Sequence, residues 1–265
     1  MTLLDVQKLE VVYHRSITAV QGISFAIQAA QIVALLGTNG AGKTTTLRAI
    51  SGFLGVDDAR VSEGAIIFKG EHIENELPHR NTARGIVLVP ERDKVFPNLT
   101  VSENLIAPIP HGVTAAEQRR RETLVYQFFP QLRDLRQRIG GLLSGGERQM
   151  LALASAIMCA PELLLVDELS LGLAPVVVSE LLQRLSEIRR ELGLTILIVE
   201  QSAPVALEIA DYCYVMENGH IVLDGTAERL RAHPDIQEFY LGRESGERRS
   251  YREIKQYRRR RRWYG

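Results

Sequence analysis

The stretch Gly37-Thr38-Asn39-Gly40-Ala41-Gly42-Lys43-Thr44 (GTNGAGKT) matches the pattern G-x-x-x-x-G-K-[ST] at every fixed position. Glycines let the backbone of such a loop curl, so that successive N–H groups point inward at phosphate oxygens. The lysine then reaches the β- and γ-phosphates, and the final threonine hydroxyl is placed to bind Mg²⁺. The stretch therefore predicts a site for a nucleoside triphosphate.

The residues on either side of this loop support the prediction. Gln31 to Leu36 (QIVALL) is a short apolar strand candidate that runs into the loop. Thr45 to Ile50 is typical of the first turns of a helix, whose positive N-terminal end would face the phosphates. A glycine-rich turn with no ligand is the alternative, and the strand and helix make it the weaker one. We predict that Thr45, which directly follows the loop, also binds the nucleotide.

Composition indicates an ordinary globular protein. The chain has 265 residues, of which 45% are hydrophobic and 24% charged, enough for a sizeable core. Met1 to Asp5 lacks a basic region followed by a long apolar stretch, so we expect no signal peptide, and the most apolar stretch, Met150 to Val166, is too interrupted to span a bilayer. Cys159 and Cys213 lie in apolar segments without metal-ligand spacing, so we predict buried thiols in a reducing cytoplasm.

The formal net charge of zero hides a polarity between the two ends of the chain. Residues 243–265 contain ten Lys and Arg against three Glu, a net charge of +7, and the rest of the chain carries −7. This basic tail includes five consecutive arginines followed by Trp263 and Tyr264. A solvated tail, docking on anionic lipid or on a membrane partner, and nucleic-acid binding remain open, the last being least favoured because the body is acidic.

Strand candidates alternate with helical patterns along the chain, which predicts an α/β core with a mostly parallel sheet. The predicted strands are 9–13, 22–27, 31–36, 65–68, 86–89, 163–166, 195–199 and 212–216. The predicted helices are 42–51, 101–107, 114–129, 146–159, 175–192 and 202–210. Strand signals vanish between Glu91 and Ala160, which indicates a helical subdomain inserted into the core.

A second chemical element is Leu163 to Glu168 (LLLVDE). An apolar strand that ends in Asp167 places a carboxylate at the carboxyl edge of a parallel sheet, where phosphate-bound Mg²⁺ would lie. Because the chain turns there, Glu168 can polarise a water for attack on the γ-phosphorus. A strand end with solvated charges is the alternative, and the upstream phosphate loop favours the functional interpretation.

A third element is Leu143 to Gln149 (LSGGERQ), before a long amphipathic helix. Its small-residue turn could bind an anion at a helix N-terminus. The candidate residues are Ser144, Gly145, Gly146 and Glu147. Since the chain already has one phosphate loop, a second anion-binding turn makes sense if it closes over the nucleotide of another chain.

With the phosphate loop upstream and LLLVDE downstream, LSGGE resembles the ATP-binding subunits of ABC transporters over residues 1–242. The resemblance implies a phosphate-loop NTPase fold: a mostly parallel sheet, an antiparallel β portion near the N-terminus and an inserted helical subdomain. It implies a core of 1–90 and 161–242, a helical subdomain of about 91–160, and ATP and Mg²⁺ as cofactors. It also implies a head-to-tail dimer that holds two ATP molecules. Each would lie between the phosphate loop of one subunit and Ser144 to Glu147 of the other, the signature turn.

Further positions are carried over from the family. Tyr13 matches the aromatic residue that stacks on adenine, although a core aromatic remains the alternative. Leu171 to Ala174 occupies the dimer-contacting loop but lacks its usual final aspartate, and Leu169 stands where the family usually has proline.

Two departures point to a branch of the family. Glu91 replaces the usual glutamine that contacts Mg²⁺, and Gln201 replaces the usual switch histidine. Together with SLGLAP at 170–175, they resemble the branch that energises uptake of branched-chain and other hydrophobic amino acids. Glutamate can still bind Mg²⁺, and a glutamine amide can still donate to the γ-phosphate, but it cannot become charged as histidine can.

The resemblance thus implies an ATPase subunit at the cytoplasmic face of the cell membrane, where it would be peripheral. Its implied partners are a second ATPase subunit, identical or paralogous, two transmembrane permeases and an extracytoplasmic solute-binding protein, with no nucleic acid expected. The ATPase of a lipid or lipopolysaccharide exporter and a soluble non-transport ABC ATPase are the alternatives. Glu91 and Gln201 argue against the exporter. The soluble ATPases usually carry a coiled-coil insertion or a second cassette, and this sequence shows neither.

Overall fold

A computed structural model describes residues 1–92 and 94–232. The strands are β1 (Thr2–Tyr13), β2 (Ile17–Gln28), β3 (Ile32–Gly37), β4 (Ala59–Phe68), β5 (Glu71–His72), β6 (Ile86–Val89), β7 (Leu163–Asp167), β8 (Thr195–Glu200), β9 (Tyr212–Glu217) and β10 (His220–Thr226). The α-helices are α1 (Lys43–Ser51), α2 (Pro78–Ala83), α3 (Val101–Ile106), α4 (Ala115–Phe128), α5 (Pro130–Asp134), α6 (Gly145–Met158), α7 (Pro175–Leu192), α8 (Ala203–Ile209) and α9 (Ala227–Arg231). The basic tail predicted at 243–265 lies outside the described residues.

The larger sheet has the order β10-β9-β3-β8-β7-β6, and all its pairs except β9 with β10 are parallel. Every residue of β3, β7 and β8 is buried, because both faces of the sheet are covered. The carboxyl ends of these three strands therefore lie side by side at one edge, which is where ligands bind in open α/β sheets.

The smaller sheet is antiparallel, with the order β2-β1-β4-β5. It confirms the antiparallel portion expected near the N-terminus. The prediction placed the start of β1 too late, at Leu9, whereas the strand begins at Thr2. Lys8 has a φ of 47°, and the register with both neighbouring strands shifts around it, so the inside-outside alternation is broken there.

Successive residues of β3 point into two different cores, as the two-residue period of a strand requires. Ile32, Ala34 and Leu36 join the core formed with the helices. Val33 and Leu35 join the core between α1 and the smaller sheet. The central strand thus holds both layers together, and the loop that follows it is anchored on two sides.

Helix α6 is the packing centre of the helical segment between β6 and β7, because α3, α4 and α5 all contact it. Among the described residues between β6 and β7, pairing is limited to one isolated bridge between Thr100 and Ile139. This agrees with the vanishing strand signal. The division of the chain into core, helical subdomain and tail stays a prediction.

Some short elements were not predicted from the sequence: β5, β10, α2, α5 and α9. Strand β10 is mostly half-buried at the sheet edge, and its apolar run, Ile221 to Leu223, is only three residues long. Helices α2 and α5 are only six and five residues long, too short to show a helical period.

Cys159 and Cys213 are free and buried, as predicted. Burial raises the pKa of the Cys159 thiol to about 11 and that of Cys213 to about 12. Among residues 1–92 and 94–232, no helix combines the length and the apolar character needed to cross a bilayer.

Candidate active site

The predicted phosphate loop connects the end of β3 to the N-terminus of α1, and its shape requires glycine. Gly42 has a φ of 102°, and a Cβ there would lie 2.8 Å from the carbonyl oxygen of Ala19. A Cβ on Gly37 would lie 2.5 Å from the carbonyl oxygen of Met216. The loop is therefore packed against the smaller sheet and β9, with its amides at the start of a nine-residue helix.

The side chain of Lys43 is buried at the centre of the loop, 5% exposed. Its Nζ donates to the carbonyl oxygens of Gly37 at 2.9 Å and Thr38 at 3.3 Å. The same atom lies 3.1 Å from Oε1 of Glu168. The ammonium is thus paired with the carboxylate that the sequence predicted as the general base.

Thr44 and Asp167 meet at the edge of the larger sheet. The hydroxyl of Thr44 donates to Oδ1 of Asp167 at 3.2 Å. Burial, with a smaller contribution from the nearby carboxylates of Glu168 and Glu91, raises the pKa of Asp167 to about 6. A hydroxyl and a desolvated carboxylate offer the hard oxygen ligands that Mg²⁺ prefers, so these residues fit the predicted metal site.

Glu168 follows β7 in a left-handed conformation, with a φ of 49°. Its N–H donates to the carbonyl oxygen of Val199 at 2.9 Å, which ties the turn to β8. Its Oε2 accepts from the N–H of Gln201 at 3.2 Å. Both carboxylate oxygens are therefore held, one by Lys43 and one by the backbone after β8.

These groups surround a cavity of about 600 Å³. Its lining residues are Ala19, Asn39, Gly40, Ala41, Gly42, Lys43, Thr44, Thr45, Glu91, Arg92, Glu168, Leu171 and Gln201. The structure thus brings most of the predicted loop together with Glu91, Glu168 and Gln201. Asp167 lies next to this cavity through Thr44.

Tyr13 lies outside the cavity lining and is half-buried. Its hydroxyl is 3.2 Å from that of Thr45, which links β1 to α1. Part of the ring packs against the core of the smaller sheet. Stacking of Tyr13 on adenine stays a prediction.

The predicted second anion site is an exposed helix start, separate from the cavity lining. Ser144 caps α6: its hydroxyl accepts from the N–H of Glu147 at 3.3 Å, and its own N–H donates to Oε2 of Glu147 at 2.6 Å. These hydrogen bonds lower the pKa of Glu147. Gly145 and Gly146 complete the first turn, where a Cβ would approach the side chains of Leu173 and Val177.

Sequence reasoning gave no role to Ala19, Arg92 and Lys94, and it placed Leu171 only in the dimer-contacting loop. Ala19, Arg92 and Leu171 line the cavity. Lys94 donates to the side chain of Gln149 and so connects the loop after β6 to α6. Burial lowers the pKa of Lys94, while the carboxylates of Glu91 and Asp167 act in the opposite direction. Arg92 and Lys94 closely follow Glu91 in sequence and could have been found from it, whereas Ala19 comes from the smaller sheet.

Comparisons with known proteins agree with this geometry. A family model described as ABC transporter matches residues 20–170. The chain is 38% identical over 231 residues to the high-affinity branched-chain amino acid transport ATP-binding protein BraG of Pseudomonas aeruginosa, covering 87% of this chain and 96% of that protein. It is 32% identical over 245 residues to the lipopolysaccharide export system ATP-binding protein LptB of Haemophilus influenzae, covering 91% and 98%.

A solved structure of the ADP conformation of MJ1267, an ATP-binding cassette of an ABC transporter, superposes with a TM-score of 0.77 at 27% identity, covering 91% of this chain and 99% of that one. The family match includes the phosphate loop, the signature turn and the acidic strand end. The chain therefore belongs to the ABC transporter family, as one of its ATP-hydrolysing subunits.

Proposed function

We propose that this chain energises an importer for branched-chain or other hydrophobic amino acids. The observation that carries the proposal is the pair of Glu91 and Gln201, which line the same cavity as Lys43 and Glu168. The similarity to BraG, at 38% identity, supports the importer. The similarity to LptB, at 32%, keeps a lipopolysaccharide exporter as the second candidate.

In the proposed mechanism, the amides of the phosphate loop and Lys43 bind the phosphates. Thr44, Asp167 and Glu91 would hold Mg²⁺, which neutralises charge on the phosphates when it is bound. Glu168 accepts a proton from the attacking water, and the amide of Gln201 donates to the γ-phosphate. Lys43 must exchange Glu168 for the nucleotide before this carboxylate is free to act.

The proposed assembly completes each site with a second subunit, identical or paralogous. Ser144 to Glu147 would face the γ-phosphate bound by the other chain, since their amides and hydroxyl lie at the exposed start of α6. Two permeases and an extracytoplasmic solute-binding protein complete the proposed transporter, with this subunit at the cytoplasmic face of the membrane. No nucleic acid is assigned a role.

The deciding experiment identifies the permeases that copurify with this subunit and reconstitutes them in proteoliposomes. With ATP inside and the solute-binding protein outside, labelled leucine should accumulate, and a subunit carrying Glu168→Gln should abolish accumulation. Copurification with a lipid-extracting membrane complex and no leucine uptake would instead support the exporter.

A further inference from the structure

Glu200 is a completely buried carboxylate at the end of β8, next to Gln201, and no step of the proposed mechanism uses it. Burial raises the pKa of this carboxyl to about 7. Burying a carboxyl group costs more free energy than burying an apolar side chain of the same size, unless its oxygens are hydrogen-bonded.

Both oxygens of Glu200 accept hydrogen bonds from Ser170 across the sheet edge, and the backbone of Leu169 adds a further contact to this carboxyl. Oε1 accepts from the backbone N–H of Ser170 at 3.0 Å, and Oε2 accepts from the Ser170 hydroxyl at 2.8 Å. Ser170 lies in the loop that leads from β7 to α7, and Leu171 of this loop lines the cavity. Glu200 therefore links the strand that precedes Gln201 to the loop that follows Glu168.

Two further hydrogen bonds, with the residues on either side of Glu200, hold the turn at Glu168. On one side, the N–H of Glu168 bonds to Val199 at 2.9 Å, directly before Glu200. On the other, the N–H of Gln201 bonds to the carboxylate of Glu168 at 3.2 Å, directly after Glu200. A shift of Ser170 away from Glu200 would therefore move the left-handed turn and its carboxylate together.

We propose that Glu200 is a positioning residue for ATP hydrolysis, which acts through Ser170 to hold the carboxylate of Glu168 and the adjoining loop in place. The position depends on hydrogen bonding rather than on charge. A glutamine at 200 can accept from the Ser170 N–H and donate to the Ser170 hydroxyl oxygen, so it can keep both contacts. A methionine has similar length but keeps neither.

The test measures ATP hydrolysis by purified full-length variants under conditions where the wild type turns over. Ser170→Ala and Glu200→Met should each lower kcat about tenfold or more, with KM for ATP within about twofold, because binding contacts remain and only the transition state is affected. Ser170→Thr and Glu200→Gln, which keep the hydrogen bonds, should stay within about threefold of wild type. The combined Ser170→Ala/Glu200→Met variant should be no worse than Glu200→Met, since Glu200→Met already removes the hydroxyl hydrogen bond that Ser170→Ala loses.

Ser186→Ala is the matched control. It removes a hydroxyl that donates to the carbonyl oxygen of Leu182 at 3.0 Å within α7, outside the cavity lining, and should leave kcat unchanged. Wild-type kcat in Ser170→Ala would overturn the proposal. So would losses in kcat that match the loss of folded, ATP-binding protein, or equal losses in Ser170→Ala and Ser170→Thr. If Glu200→Met does not fold, the Ser170 pair decides.

This inference rests on the proposed role of Glu168, and the two can fail separately. Turnover by Glu168→Gln at the wild-type rate would refute the role of Glu168 itself. An inactive Glu168→Gln beside a fully active Ser170→Ala would refute only the positioning role of Glu200.

Discussion

Replacing Glu168 with glutamine should separate nucleotide binding from turnover. The carboxylate of Glu168 accepts from Lys43 with one oxygen and from the N–H of Gln201 with the other. A glutamine side chain has one acceptor oxygen, so its amide nitrogen must face one of these two donors. The substitution keeps the volume but removes both the proton acceptor and one of the two contacts.

Two magnitudes follow from this geometry. Loss of the base should lower kcat about a hundredfold or more, equal to about 2.7 kcal/mol of transition-state stabilisation. In the nucleotide-free protein, one unsatisfied donor should cost about 1 to 3 kcal/mol of unfolding free energy. The cost at Lys43 stays at the low end, because its ammonium keeps the carbonyl oxygens of Gly37 and Thr38. Bound phosphates then supply the missing acceptor for Lys43.

The assay compares steady-state ATP hydrolysis, equilibrium binding of ATP and thermal unfolding with and without ATP. Glu168→Gln should bind ATP at least as well as wild type and gain more thermal stability from it, while Lys43→Ala should lose binding itself. Glu162→Gln is a suitable control, since Glu162 pairs with Lys69 at a half-exposed site 2.8 Å apart and should affect neither quantity. Hydrolysis by Glu168→Gln within a fewfold of wild type would refute the assignment of the base.

Three other predictions use different perturbations. Ser144→Arg or Gly145→Asp should spare ATP binding by the monomer but abolish ATP-dependent dimerisation, and an undiminished dimer mass with Mg-ATP in a Glu168→Gln background would contradict the sandwich. Removing residues 243–265 should leave ATPase activity nearly unchanged but weaken binding to anionic liposomes. The loss should be a few kcal/mol, since each arginine contributes roughly 1 kcal/mol before screening by salt. Equal binding of both forms at about 50 mM salt would indicate a merely solvated tail. Because the pKa of Glu200 rises from 4.5 to about 7 on folding, the folded state binds this proton more tightly, so the wild type should lose stability as the pH rises from about 4.5 to 7. Urea unfolding of the nucleotide-free protein should show Glu200→Gln lacking this decline, a difference on the order of 3 kcal/mol at pH 8, and parallel pH profiles would refute it.

The predictable parts of the site are those in which consecutive residues by themselves determine the local structure and its chemistry. The run from Gly37 to Thr44 carries its own turn requirement, and an apolar strand that ends in Asp167 places that carboxylate at the sheet edge wherever the strand lies. The fully buried helix face of α7 was equally readable, because its apolar residues recur every three or four positions. Its predicted bounds, 175–192, match the structure.

The contacts that depend on strand order were not predictable. The residues around Glu200 in sequence do not predict that β8 lies between β3 and β7. Only this strand order brings the carboxylate of Glu200 to Ser170. The pairing of Lys43 with Glu168 has the same origin, since Lys43 begins the helix after β3 and Glu168 follows β7, and these two strands come to one sheet edge only in the folded chain. A single sequence specifies the identity of these residues but not their neighbours.

The left-handed backbone of Glu168 has a genetic consequence. Glycine adopts a positive φ without steric cost, so Glu168→Gly relieves backbone strain at this turn, which offsets part of the cost of losing the carboxylate. Such a chain would still load ATP and, in a cell that also makes the normal copy, would compete for the same membrane partners. We therefore expect dominant transport-deficient alleles to arise at this codon, whereas alleles that alter Lys43 should be recessive because they fail earlier, at nucleotide loading.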